Sequence, residues 1–356
     1  MRRIHPLARR GQQEDLRLQL RGDRRGDQEC HDWKALRRGD DRRQGYGRAS
    51  LQERLTAGGM ASRVLIQLDP DPQPSTFDAI VAIDSGVDTL LRHGSVTPEA
   101  SVPLVHGAMF TRGGGELAST AIFVGGSDVA AAEAVFRKVR ETFFGPVRVG
   151  VMLDPSGANT TAAAAVVTAA RHAVLAESHA VVLGATGPVG RRVAGLLAGR
   201  AGSLTVCSRS LERAEALAGE IAARRSAAVQ AVSLGGSLAE SLAEAAVVIS
   251  AGAAGVTLLD AAGLKGCRKA RVLIDLNAVP PVGIEGILPS DKARVLEGIR
   301  EDLPPVAYGP LGVGGTKMKI HRAAIDELFV STEAALDAEE ILAIAWRLEG
   351  DSTDRG

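Results

Sequence analysis

The chain has 356 residues, with 42 Lys/Arg balanced by 42 Asp/Glu. Hydrophobic residues make up 45% and aromatics 3%, which predicts two or three domains with cores of Ala, Val, Leu and Gly rather than a sandwich built on Tyr and Trp. No apolar run reaches the roughly 18 residues of a membrane-spanning helix. The three cysteines (Cys30, Cys207, Cys267) are too few and scattered for a disulfide framework, and the seven histidines fall in no metal-binding spacing, so neither a membrane partner nor a metal is expected.

The zero net charge hides two segments. Residues 1–59 hold 15 Lys/Arg and 9 Asp/Glu, and residues 60–356 hold 27 and 33. The first segment is therefore +6 and the remainder −6. Arg-Gly-Asp pieces recur in it without apolar periodicity, so it cannot offset its ordering entropy and is expected to be disordered. Nine acids argue against a transit peptide. The preferred expectation is sequence upstream of a true start at Met60; a genuine basic arm, with or without nucleic-acid contact, is the alternative.

In chain order, Val64–Leu68 reads as a strand, ended by the Pro-rich run Asp69–Thr76. Ser75 can cap a helix through Phe77–Ile83. Thr120–Val124 reads as a strand, then Ser127 or Asp128 opens a helix with Val129, Ala132, Val135, Phe136, Val139 and Phe143 on one face. Val147–Leu153 is a further strand, Asp154–Thr161 a polar turn, and an Ala-rich helix runs to about Leu175. Strands at Ala180–Leu183, Leu204–Cys207, Val229–Val232, Ala246–Ser250 and Val272–Leu276 alternate with helices, the rhythm of a doubly wound, Rossmann-like domain. Helices near Ile320–Val330 and Ala335–Leu348, then a polar tail, end the chain; the last helices are expected to pack back on the first domain.

The run Val181-Val182-Leu183-Gly184-Ala185-Thr186-Gly187-Pro188-Val189-Gly190 joins an apolar strand to an amphipathic helix through a glycine-spaced turn. Gly184 permits the tight turn, Gly187 lets backbone approach a pyrophosphate, and Gly190 lets helix and strand pack closely. The helix N-terminus, around Thr186, Pro188 and Val189, offers its free N–H groups to the phosphates, Pro188 itself having none. The alternative is a purely structural βα turn. The second strand ends in Cys207-Ser208-Arg209-Ser210, with Arg213 one turn on. An NAD fold usually has an acid there; a guanidinium and the Ser208 and Ser210 hydroxyls suit the 2′-phosphate of NADP instead. Ala251 and Gly252 follow a later strand and admit a cofactor ring, or merely form a small-residue turn. Asn277 either bonds a nicotinamide carboxamide or caps its turn.

Several motifs then stand together: Phe77-Asp78, Thr111-Arg112-Gly113-Gly114, Ala121–Gly126, Asn159-Thr160-Thr161-Ala162-Ala163-Ala164, Thr186–Gly190, Asn277–Pro281 and Gly314–Arg322. With these, residues 62–348 resemble the bacterial NAD(P)-dependent methylene-tetrahydromethanopterin (methylene-tetrahydrofolate) dehydrogenases of one-carbon metabolism. The resemblance implies an α/β protein of two domains, an N-terminal α/β pterin-binding domain and a C-terminal Rossmann-like NADP-binding domain. It implies a cytoplasmic homo-oligomer, trimer or hexamer, that oxidises a 5,10-methylene tetrahydropterin to its methenyl form. NADP is the coenzyme, with NAD as the weaker one. The expected divisions are 60–155 for the pterin, 156–318 for the dinucleotide and 319–356 for helices returning to the first domain.

Arg209 matches the position relatives use for the 2′-phosphate, and Asp78, Thr161 and Lys317 match residues at the pterin end. These three are the catalytic candidates; Asn159 and Thr160 join them as substrate contacts. Hydride loss from the methylene carbon needs no base, which agrees with the lack of a His or Cys motif. A carboxylate at Asp78 suits the paired N–H donors of a pterin, or is simply an acid favoured at a helix start. Lys317, after the glycine run 312–315 taken as a flexible loop, reaches into the cleft or lies on the surface, and Lys319 is a weaker candidate. Thr160 and Thr161 alternatively cap a helix. A shikimate-dehydrogenase-like enzyme and a non-catalytic NADP-binding protein are the rival readings.

Overall fold

The computed structural model describes residues 61–225, 227–235 and 237–353; the expectations for residues 1–59 lie outside them. The elements run β1 (Val64–Leu68), α1 (Thr76–Asp84), β2 (Thr89–His93), α2 (Pro98–Phe110), β3 (Thr120–Val124), α3 (Val129–Thr142), β4 (Gly150–Leu153) and α4 (Ala158–Ala170). They continue with β5 (His179–Leu183), α5 (Pro188–Leu197), β6 (Ser203–Ser208), α6 (Leu211–Arg225), β7 (Val229–Ser233), α7 (Leu238–Glu244), β8 (Val247–Ser250), α8 (Ala261–Lys265) and β9 (Val272–Asp275). Two short strands, β10 (Lys292–Val295) and β11 (Val306–Tyr308), precede α9 (Pro310–Glu327), β12 (Ala335–Leu336) and α10 (Ala338–Thr353).

Two sheets result. The first has the order β12-β4-β3-β1-β2 and is wholly parallel. The second has the order β10-β11-β9-β8-β5-β6-β7 and is parallel except for the β10–β11 pair. This is the α/β, Rossmann-like architecture the strand rhythm predicts. In each sheet the strand order reverses beside the first strand, between β1 and β3 and between β5 and β8. Ligands of open parallel sheets bind at the carboxyl ends of the strands at such reversals.

Side-chain alternation along the strands divides the core. Leu65, Ala121, Phe123 and Met152 from the first sheet share one cluster with Val182, Val206, Ile249 and Ile274 from the second. Ile66, Leu68, Ile122, Val124 and Leu153 point the other way, onto α2 and α3, and Val181, Leu183, Val248 and Leu273 onto the far face of the second sheet. The shared cluster is filled by α4, α5, α9 and α10. Residues Ala162 to Val167 of α4 are at most 1% exposed, as a helix apolar all round must be. Its alanines let neighbouring helices approach closely.

Local chemistry accounts for most element starts. Ser75 Oγ accepts from Asp78 N at 3.2 Å to cap α1, and Asp128 Oδ1 accepts from Ala131 N at 3.1 Å to cap α3, each worth about 1 kcal/mol. β2 and α2 are elements the sequence reading does not anticipate: β2 is a mostly exposed edge strand, and α2 carries an internal Pro103.

Several boundaries differ from expectation. The fourth strand begins at Gly150, because Phe144 and Val147 bridge each other across the Gly145-Pro146 turn. Asn159, Thr160 and Thr161 lie in the first turn of α4, not in a loop, and α4 ends at Ala170. Residues 312–315 are helical, within α9. Gly312 is there for contact: a Cβ would collide with the carbonyl of Asp291. The division drawn at 318/319 therefore falls inside a helix. Ala335 and Leu336 form a strand on β4 (Ala335 beside Val151), and the expected polar tail is helical to Thr353.

Candidate active site

The nucleotide end is made mostly of backbone. Gly184 turns at φ +69°, and a Cβ on it would stand 2.7 Å from Gly252 Cα. The loops after β5 and β8 thus touch at the reversal, with no room for side chains. A Cβ on Gly190 would stand 2.8 Å from Ala185 Cα. Gly187 is the N-cap of α5 and lends no side-chain hydrogen bond; Pro188 and Val189 follow at the first helical positions. The first N–H groups of α5 therefore lack a side-chain acceptor, which fits a pyrophosphate. At the end of β6, Thr186 Oγ1 and Ser208 Oγ meet at 3.1 Å, and Ser210 Oγ accepts from Arg213 N at 3.3 Å. Arg209 and Arg213 are exposed, and among the described residues neither side chain is hydrogen-bonded or ion-paired. Glycine cradle, bare helix start and free guanidinium together fit NADP. Asn277 is 5% exposed; its Oδ1 accepts from Val279 N at 3.0 Å and its Nδ2 donates to Pro281 O at 2.9 Å. The geometry favours its capping reading, although one N–H and one lone pair remain.

The other end is made of side chains. A cavity of about 340 Å³ opens at the carboxyl ends of β1 and β3, lined by Asp71, Ser75, Phe77, Asp78, Gly126, Ser127, Gly157 and Lys317 among others. Asp78 (7% exposed) enters from the first turn of α1. Lys317 enters from α9, its Nζ 5.0 Å from the Phe77 ring centroid, a cation–π contact. Gly157 leaves room for it: a Cβ there would stand 3.0 Å from Lys317 Cε. Asp78 Oδ2 and Asp69 Oδ2 would each lie 3.5 Å from a Cβ on Gly125, so two carboxylates converge there. Burial, then repulsion from Asp154, pushes the Asp78 carboxyl up to about 7, against the pull of Ser75 and Lys317. Burial likewise raises the carboxyl of Asp69.

Buried polar groups frame the cavity. Asp69, at the end of β1, accepts from Asp71 N at 2.9 Å and Ser75 N at 3.2 Å. Asp154, at the end of β4, accepts from Asn159 N at 2.8 Å, Thr160 N at 3.1 Å and Thr160 Oγ1 at 2.7 Å. Asn159 also donates to Leu153 O and Asp337 Oδ1 and accepts from Arg192 of α5, so it ties both sheets together. Asn159 and Thr160 are 0% exposed. With no surface to offer, they support the site and do not line it, unlike the substrate contact expected of them. Thr161 is half-buried and donates to the carbonyl of Gly157, a cavity-lining residue, at 2.6 Å.

A family model described as methylene-tetrahydromethanopterin dehydrogenase, N-terminal, matches residues 76–156. A model described as shikimate / quinate 5-dehydrogenase matches residues 167–287. The chain is 44% identical over 290 residues to the bifunctional protein MdtA of Methylorubrum extorquens, spanning 80% of this chain and 99% of that protein. It is 30% identical over 307 residues to the NAD(P)-dependent methylenetetrahydromethanopterin dehydrogenase of the same organism, spanning 82% and 100%. The chain belongs to the methylene-tetrahydromethanopterin dehydrogenase family. Among solved structures, quinate dehydrogenase from Corynebacterium glutamicum in complex with NAD is 17% identical, with a TM-score of 0.45 over 80% of this chain and 98% of that one.

For a member of this dehydrogenase family, sequence reasoning singled out Asp78 and Lys317, and the structure brings both to one cavity from elements 239 residues apart in number. It passed over Phe77 as a ring under Lys317, and Asp69, Asp154 and His321. A signal for the two aspartates was present: Leu-Asp-Pro occurs at 68–70 and again at 153–155, each time ending an apolar strand. A larger cavity, about 1360 Å³, is lined by His179, Ser203, Val229 and Ala246 at the amino ends of the second sheet, the end where such folds do not do their chemistry.

Proposed function

We propose that the protein oxidises 5,10-methylene-tetrahydromethanopterin, and 5,10-methylene-tetrahydrofolate as a second substrate, to the 5,10-methenyl form, with NADP as hydride acceptor. The observation that carries this reading is the cavity in which Asp78, inside the segment 76–156 matched by the methylene-tetrahydromethanopterin dehydrogenase model, meets Lys317 of α9. NADP supplies the electrophilic ring carbon that takes up the hydride. Arg209 holds its 2′-phosphate, the turn 184–190 and the start of α5 its pyrophosphate, and Ala251 and Gly252 leave its ring a flat backbone surface.

The protein's own work is orientation and field. Ionised Asp78 accepts the ring N–H and amino donors of the pterin as two hydrogen bonds. Lys317, seated on Phe77, fixes the other side of the substrate. Asp69 and Asp154 act on Asp78 in one direction and Lys317 in the other, so the carboxylates there favour the positive charge that grows on the N–C–N unit as hydride leaves. No proton is removed from carbon, so no general base is required. The division of labour follows the sheets: the first serves the pterin and the second the dinucleotide, with Lys317 and Gly157 reaching the pterin side from the segment that follows the first sheet's β4. No described helix is long and apolar enough to cross a membrane; the reading makes the protein a cytoplasmic homo-oligomer, trimer or hexamer, without a nucleic-acid partner.

The test is an assay of purified protein with methylene-tetrahydromethanopterin and methylene-tetrahydrofolate, each with NADP and NAD, following the reduced nicotinamide band. Pterin-dependent reduction of NADP is the expected result. Reduction with shikimate or quinate alone, or with none of these substrates, overturns the reading.

A further inference from the structure

His321 lies on α9 one helical turn beyond Lys317 and is 0% exposed, and neither ring nitrogen has a hydrogen-bond partner. Its ring stacks on Phe123 of β3 (centroids 5.9 Å apart, 18° between planes) and tilts against Phe77 (6.3 Å, 43°). Phe77 in turn carries Lys317 Nζ. A continuous pile therefore runs from the sheet core through His321 and Phe77 to the cation in the cavity. Nδ1 stands 4.0 Å from Asp154 Oδ2, itself 0% exposed. A side chain needed only for packing would be Phe or Leu, since burying two unpartnered nitrogens is costly.

We propose that His321 is a positioning residue of the substrate cavity: its Nδ1–H tempers the charge of Asp154, and its ring fixes Phe77 beneath Lys317. The proposal rests on the methylene-pterin reading above. The charged groups acting on His321 are Asp154, which favours its protonation, and Lys317, which opposes it; burial is the strongest influence and keeps the ring neutral. Asp154 in turn acts on Asp78, which also feels Asp69 and Lys317. A donor directed at Asp154 weakens its repulsion of Asp78 and lets Asp78 ionise to accept the pterin N–H groups.

The test uses His321→Phe, which keeps a ring and removes both nitrogens, and His321→Asn, which keeps a side-chain N–H. His321→Phe should melt no lower than the wild type and bind NADP unchanged by calorimetry. Its kcat/KM for methylene-pterin should fall about tenfold, and the acid limb of that profile should move up by on the order of half a pH unit. His321→Asn should return the limb toward the wild-type position. In an Asp154→Asn background, His321→Phe should leave the limb where it is, because the charge it tempers is gone. An unmoved limb and unchanged kcat/KM in His321→Phe overturn the proposal, as does a shift that persists without the Asp154 charge. A wild-type protein inactive with methylene-pterins refutes the reading of the previous section instead.

Discussion

The two sheets offer the same topological opening and fill it by opposite means. At the β5–β8 reversal the site is backbone: Gly184 and Gly190 admit no Cβ, the helix start is bare, and the candidate charge contact, Arg209, stands free at the rim. At the β1–β3 reversal the site is buried side-chain charge, with Asp69, Asp154 and Lys317 all close enough to act on Asp78. A backbone site costs little strain and suits a diphosphate common to many enzymes. A side-chain site must hold like charges together, and the turns around Asp69 and Asp154 supply the N–H donors that permit this. The first kind should break when atoms are added, the second when they are removed.

Removal at the side-chain site should give the largest effect. Lys317→Ala and Asp78→Ala should each lower turnover of methylene-pterin by about 10–100-fold, the scale of a substrate loosened from its near-attack alignment. NADP affinity by fluorescence quenching should be nearly unchanged in both. Loss of NADP binding with normal pterin handling would invert the assignment of the two ends. Next in size is Arg209→Ala. A lost charge-assisted hydrogen bond of about 1.5–3 kcal/mol raises the KM for NADP on the order of 10–100-fold. The KM for NAD should hardly move; equal changes for both coenzymes would make Arg209 a bystander.

Addition at the backbone site should act on stability and coenzyme binding together. Gly190→Ala forces a methyl against Gly184 O and Ala185 Cα, both backbone atoms, so α5 must shift off β5. Overpacking of this kind costs about 1–3 kcal/mol, to be read as a lower denaturation midpoint with weaker NADP binding and an unaltered KM for pterin. A variant as stable as the wild type would mean the helix has slack that the contact distances deny.

The same contrast explains what was legible in the sequence. The run 181–190 is ten consecutive residues of strand, turn and helix whose spacing is dictated by one helix meeting one strand, so it can be read locally. The pterin cavity draws Asp78 from α1, Lys317 from α9 and Gly157 from the start of α4, and no periodicity links them; the resemblance to known dehydrogenases supplied Asp78 and Lys317. His321 carried no mark of its own, because a buried imidazole without partners looks like any helical histidine until its surroundings are known. Residues 312–315 misled for a related reason: glycines normally signal freedom, and here Gly312 serves a backbone contact 21 residues upstream, at Asp291.

The smallest expected effect is also the most specific to buried charge. An Asp in the unfolded chain titrates near 3.8, and Asp78 in the fold near 7. Between those values the folded protein keeps a proton that the unfolded chain has released, so raising the pH through that window removes stability. Below it both states are protonated and the contribution is constant; above it the full cost of the buried carboxylate remains. Asp78→Asn is neutral throughout. Its melting temperature should lie near that of the wild type at pH 4, pull ahead by a few degrees as the pH rises to 7, and stay ahead by a constant margin above. Function should run the other way, since only the ionised carboxylate accepts the pterin donors: wild-type kcat/KM should climb with pH toward 7 and level off, and the variant should be low and flat. Calorimetric scans of both proteins in parallel decide it, because every other titrating group is common to the pair. Melting curves that stay parallel from pH 4 to 8 would mean that Asp78 reaches solvent, and the cavity would lose the strained charge on which its selectivity for a paired N–H donor depends.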